Sequence, residues 1–100
     1  MVVRRSIVEQ HPWVVLNIYH AFLRAKDEVN ARARDLADVY FRLGLLPSDK
    51  RGAFRADPYP YGVVKNRAVL ETIAAYSHEQ GLTPRVLSLD EVFAPNTLDL

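Results

Sequence analysis

The chain contains no cysteine. Disulfide frameworks, thiolate zinc sites, iron–sulfur clusters and cysteine nucleophiles are thereby excluded. It also lacks any long apolar run. The longest, residues 13–16, is far short of the ~20 residues that span a bilayer, so no membrane is implied. The opening MVVRRSIVEQ has its basic pair after only two apolar residues and no apolar tract behind it, unlike a secretory signal, so a cytoplasmic protein is expected. Charge of one sign is equally scarce. Thirteen Lys and Arg face twelve Asp and Glu, for a net charge of +1. That balance argues against a nucleic-acid partner, which calls for a strong basic excess, and offers no polybasic membrane patch.

Glycine is sparse and scattered, with four in the chain. Neither a phosphate-cradling loop nor a dinucleotide fingerprint can be assembled from them, and no serine sits in a Gly-x-Ser-x-Gly elbow. The three histidines are His11, His20 and His78. His11 and His20 straddle Pro12 at a spacing no helical zinc pair uses, and His78 stands alone, so neither metal nor cofactor is expected. His11 suits a helix N-cap and His20 a half-buried polar tip.

What remains is a chain of 100 residues, 49% hydrophobic, able to build a core. Val2 and Val3 give residues 1–5 the look of a short strand, though nothing else in the chain is an evident partner for it. Ser6 and Glu9 are spaced as a capping box. Pro12 suits the first position of a long helix reaching about Arg42. Along it Val15, Tyr19, Phe22, Lys26, Val29, Ala33, Leu36 and Tyr40 step by four and three, a seven-residue repeat with one charged interruption. Residues 13–23 are apolar nearly all round, whereas Arg24 to Asp38 carries charge on its other faces. Gly44 and Pro47 end the pattern.

Residues 46–62 are dense in proline, glycine and serine. They are expected to turn, with one helical turn within 48–55 and an extended stretch where prolines restrict the residues before them. A further helix is expected over 63–80, with Gly81 in the left-handed position after it and Leu82 folding back on Tyr76. Ser88 and Glu91 form a second capping box, flanked by Leu87 and Val92 as a hydrophobic staple, and Pro95 stops that short helix. The fold class expected is mainly α, about three helices in one unit over residues 1–100, with a possible orphan N-terminal strand.

Few groups are spaced for chemistry. Asp27 and Glu28 point to different sides of their helix. Asp35 and Asp38 lie among Arg32, Arg34 and Arg42 and read as a solvated ion-pair surface. The most distinctive segment is DPYPYGVVKNR, residues 57–67. Tyr59 and Tyr61 on a proline-stiffened loop, with Asn66 and Arg67 one turn into the next helix, suit an aromatic carboxylate: Arg67 forks the carboxylate while a tyrosine stacks or donates a hydrogen bond. The plainer reading is that the tyrosines fill a gap and strap two helices together.

From residue 57 to residue 99 the run DPYPYGVVKNRAVLETIAAYSHEQGLTPRVLSLDEVFAPNTLD resembles the C-terminal signature of the 4,5-dihydroxyphthalate decarboxylase family. VVRRSIVEQHPWVVLNIYHAFLRAKDEV resembles the stretch preceding it. The resemblance rests on HPW, PYG, NR, YSHEQGL and EVFAP together. It implies a type II periplasmic-binding-protein-like architecture of two α/β lobes around a cleft, and a reaction converting 4,5-dihydroxyphthalate to 3,4-dihydroxybenzoate with loss of carbon dioxide. Relatives of that kind include solute-binding components of transport systems. Family chains are several-fold longer, so this one corresponds to the C-terminal helical part and is expected to be inactive alone. No catalytic residue is carried over by motif. The alternatives are part of a solute receptor and a small self-associating helical protein without catalysis. The apolar start of the long helix, with Trp13, Leu16 and Leu23 among its residues, leads us to expect a homodimer or a complex with a separately encoded N-terminal part.

Overall fold

The computed structural model describes residues 1–100 and contains helices, turns and no strand. Four α-helices follow in chain order: α1 at Arg5–Gln10, α2 at Pro12–Arg42, α3 at Val63–Glu79 and α4 at Leu89–Val92. Single 3₁₀ turns occupy Ser48–Lys50 and Pro95–Thr97. The chain divides into two compact units, one of Met1–Tyr19 with Pro60–Leu100, the other His20–Tyr59.

The N-terminus departs from expectation. Residues 1–4 form no strand, and α1 begins at Arg5 with Arg4 as its N-cap, which accepts from the N–H groups of Ile7 and Val8 at 3.0 and 3.2 Å. Ser6 therefore lies inside the helix, and no side chain caps it. The cause is locality. A strand needs a partner that this chain does not supply, while a helical turn finds its partners four residues away.

Helix ends obey local rules. Gly44 (φ +70°) closes α2: its N–H donates to Phe41 O at 3.2 Å, and the Leu45 N–H donates to Tyr40 O at 3.0 Å. Gly81 (φ +73°) repeats the arrangement after α3, its N–H bonding His78 O and that of Leu82 bonding Ser77 O, both at 2.9 Å. Both are Schellman endings, which need a left-handed residue where glycine carries no Cβ penalty. Leu82 and Tyr76, expected to meet there, stay 73% and 56% exposed. At α4 the Ser88 N–H donates to the Glu91 carboxylate at 3.0 Å, as the capping box requires.

In the 20–59 unit a single return segment packs on α2. Phe54 meets Phe41 edge-on at 5.5 Å, and Arg51 lies 4.5 Å over the Phe41 ring while ion-pairing with Asp38. Further along, Lys26 bonds Asp57 at 2.6 Å and the Tyr59 carbonyl. This segment is one chain wide and shields one line of α2: Ala37 is buried, and Leu23, Lys26, Asn30 and Phe41 are half-buried. The expected stripe is therefore covered only in part. Val15 is buried and Tyr19 half-buried, but Phe22, Val29, Leu36 and Tyr40 lie open. An apolar arc on a helix can be much wider than a single extended segment.

In the other unit Val15, Val63 and Leu89 make the small core. The Asn96 side-chain amide donates to the Pro12 carbonyl at 2.9 Å, tying the C-terminal turn to the start of α2. Burial is thin throughout, and no large side chain is fully enclosed.

Candidate functional site

The segment 57–67 is positioned by polar bonds rather than by burial. Asp57 uses both carboxylate oxygens: Oδ1 accepts from the Tyr59 N–H at 3.2 Å, and Oδ2 accepts from Lys26 Nζ at 2.6 Å. The same ammonium donates to the Tyr59 carbonyl. One lysine of α2 thus holds a turn 31 residues away, and its side chain is only 13% exposed. The charge that interrupts the apolar stripe is the group that fastens the loop. Tyr59's own ring points outward, with the residue 78% exposed.

In the other unit, the chain enters α3 through Gly62, whose backbone (φ +106°, ψ 154°) is a region that L-residues scarcely populate. The Asn66 amide reaches back one turn and donates to the carbonyls of Pro60 and Gly62, both at 2.8 Å. The Val64 N–H at the start of α3 donates to the Leu100 carbonyl at 2.8 Å. A Cβ built on Gly62 would stand 2.6 Å from that carbonyl oxygen, with the Tyr19 hydroxyl 3.5 Å away. The 60–66 turn, the first turn of α3 and Leu100 are therefore mutually fitted, and Gly62 permits the close approach.

Tyr59 belongs to the 20–59 unit, whereas Tyr61, Asn66 and Arg67 belong to the other. Asn66 has its amide committed to loop closure. Tyr61 is 39% exposed beside that turn. Arg67 pairs with Glu71 one turn on at 3.5 Å. It also lines an open cleft of about 560 Å³ whose wall includes Ser88, Asp90 and Asp99 and none of the other three candidates. Glu71, Asp90 and Asp99 bring three carboxylates to a lining with one guanidinium, so the charge of this cleft does not favour a further anion.

The most perturbed titratable group lies at α4. Glu91 accepts a two-point contact from Arg85, at 2.9 and 2.5 Å, and further bonds from the Ser88 N–H and hydroxyl at 3.0 and 2.8 Å. The Arg85 hydrogen bonds first, and then those of Ser88, push its carboxyl far below the usual carboxylate range. Arg85 is pushed up in turn by Glu91. Both groups face solvent, so this arrangement fixes a helix start rather than a reaction. The histidines are apart: His11 meets Trp13 edge-on at 6.1 Å, and His78 Nδ1 lies 3.1 Å from the Thr83 carbonyl. No cluster of three His, Asp or Glu side chains is placed to hold a metal ion. No helix is long and apolar enough to cross a membrane.

Lys26 and Gly62 are the two positions whose importance sequence reasoning missed. A lone lysine in an apolar row was a usable signal for the first; the second depends on an approach by a residue 38 positions away and left no local mark.

Among known proteins, the chain is similar to a 4,5-dihydroxyphthalate decarboxylase of Comamonas testosteroni, at 31% identity over 100 aligned residues. The alignment takes in 97% of this chain and 30% of that protein, so the chain spans about three tenths of its relative's length. No protein-family model matches the sequence, and no solved structure matches it. The likeness is thus a distant relationship to part of a decarboxylase, carried by a mainly helical chain.

Proposed function

We propose that this chain is the helical C-terminal part of a dihydroxyphthalate-decarboxylase-like, two-lobed protein, and that it supplies scaffold rather than chemistry. The observation that carries this reading is the alignment, which consumes almost all of this chain and under a third of its relative. The site supports it from the other side. The Asn66 amide is committed to loop closure, and the one cation in the cleft beside α3 is outnumbered by carboxylates. On this reading the chain decarboxylates nothing alone. An aromatic dicarboxylate is held, on this reading, by residues lying outside the 100 present here.

The test is a chimera in which this chain replaces the matched part of the Comamonas protein. The expected outcome is that the isolated chain forms no 3,4-dihydroxybenzoate from 4,5-dihydroxyphthalate, while the folded chimera does so above the level of the Comamonas protein lacking that part. Turnover by the isolated chain refutes the scaffold role. A folded but silent chimera refutes the relationship to this reaction.

A further inference from the structure

The first turn of α3 has no cap of its own. Its N-cap residue is Gly62, no side chain bonds the backbone there, and the turn holds no acidic residue. Such ends are ordinarily closed by a Ser, Thr, Asp or Asn at the N-cap itself. Here the acceptor comes from a remote segment: the Val64 N–H donates to the Leu100 carbonyl at 2.8 Å. That segment, residues 95–100, has little internal structure. A single 3₁₀ turn at Pro95–Thr97 is followed by bonds of 3.4 Å from the Leu98 N–H to Pro95 O and 3.3 Å from the Leu100 N–H to Thr97 O. Both are longer than the ~2.9–3.0 Å usual for an amide donor. The segment is tied down at both ends, by the Asn96 side-chain amide on the Pro12 carbonyl at 2.9 Å and by Leu100 on α3. Between the ties Leu98 and Asp99 form one wall of the cleft whose other walls are Arg67, Glu71 and Ala74 of α3 and residues 86–90. All of these residues lie in one compact unit.

We propose that residues 95–100 are a detachable strap, which lifts as one body while α3 stays helical, and that lifting it uncaps α3 and removes a wall of the cleft. Irregular segments with few strong bonds are where local opening concentrates. Beyond its first turn α3 keeps its backbone partners within the helix, so it does not depend on the strap for them. A cap made by a helix's own neighbouring side chain stays with that helix, whereas a carbonyl brought from another segment can be withdrawn. Gly62 supplies the seat. Lacking a Cβ, it admits the Leu100 carbonyl to a place where a methyl would stand 2.6 Å from that oxygen. Lifting the strap also carries Leu98 and the Asp99 carboxylate away from the cleft. Its position therefore sets both the width and the charge of the space beside Arg67.

Amide hydrogen exchange followed residue by residue by NMR tests the strap independently of any relationship to a decarboxylase. The Val64 N–H reports the strap, because its acceptor is Leu100. In the native chain it is expected to exchange through an opening that low urea barely affects, while Thr72 and Ile73 in the middle of α3 follow a urea-sensitive unfolding. Two variants separate the motions. Asn96→Ala removes the tie at the other end of the strap and should speed Val64 exchange roughly two- to tenfold, the loss of one ordinary hydrogen bond. Ala75→Gly weakens the interior of α3 and should speed Thr72 and Ile73 roughly fivefold, leaving Val64 unchanged because the open strap still has an intact helix beneath it. Val64 exchange unmoved by Asn96→Ala would show that the two ties do not belong to one body. If Ala75→Gly speeds Val64 as much as Ile73, or urea drives both alike, the segment opens only when α3 unfolds and there is no strap.

Discussion

Replacing Gly62 with alanine is the most informative single perturbation of the α3 start. Its backbone (φ +106°, ψ 154°) lies outside the regions open to L-residues, which costs on the order of 1–3 kcal/mol. The new methyl would also lie 2.6 and 2.7 Å from the carbonyl oxygen and carbon of Leu100. These are backbone atoms, so the C-terminal segment must move as a whole. Moving it breaks the 2.8 Å bond from the Val64 N–H, about 0.5–1.5 kcal/mol for an ordinary hydrogen bond. The total is roughly 2–4 kcal/mol, a large share of the ~5–15 kcal/mol margin of a small domain. Other glycines provide graded controls. Gly81 has φ +73° with nothing within 4 Å of a Cβ, so alanine there meets strain without collision and should cost about 1 kcal/mol. Gly52 has neither a positive φ nor a neighbour in reach, so alanine there should be neutral or mildly stabilising. Urea titration followed at 222 nm reads all three, and Gly62→Ala should lower the melting temperature by roughly 10–25 °C. If Gly62→Ala costs no more than Gly81→Ala, the fitted approach of Leu100 is wrong.

Two further outcomes follow from the polar contacts. Lys26→Met removes the bonds to Asp57 and the Tyr59 carbonyl; screening at the half-exposed Asp57 limits the loss to about 1 kcal/mol, and amide exchange of residue 59 should quicken, whereas an unchanged exchange rate would show that this tie does not hold the loop. For Glu91 the folded pKa lies below the ordinary value of 4.5, so its stabilising contribution is complete above that value and fades only as pH falls through the lower folded one. An NMR titration should therefore find no Glu91 midpoint near 4.5 in the native chain and a rise toward it in Arg85→Met; a native midpoint near 4.5 would count against the Arg85 contact.

The residues that start and stop helices were legible in order of sequence. Pro12, Gly44, Gly81 and the Ser88–Glu91 pair act on backbone groups within about five positions of themselves, so the limits of α2, α3 and α4 follow from local covalent and hydrogen-bonding constraints. The segment 57–67 was legible as a turn with two aromatic side chains, though not the commitment of Asn66 to Pro60 and Gly62 or the carboxylates that share Arg67's cleft. Those depend on which segments meet. So does the choice of face on α2: a seven-residue period marks Phe22, Val29 and Leu36 as apolar, but the return segment reaches Phe41 and Lys26 and leaves them open. Ser6 gives the converse case, a capping pattern overridden when the helix began two residues earlier, with Arg4 as its N-cap. Periodicity and caps are properties of neighbouring residues and can be read in order. Which line of a helix is covered, and why residue 62 must be glycine, depend on residues 13 to 38 positions away, and only the tertiary structure brings those together.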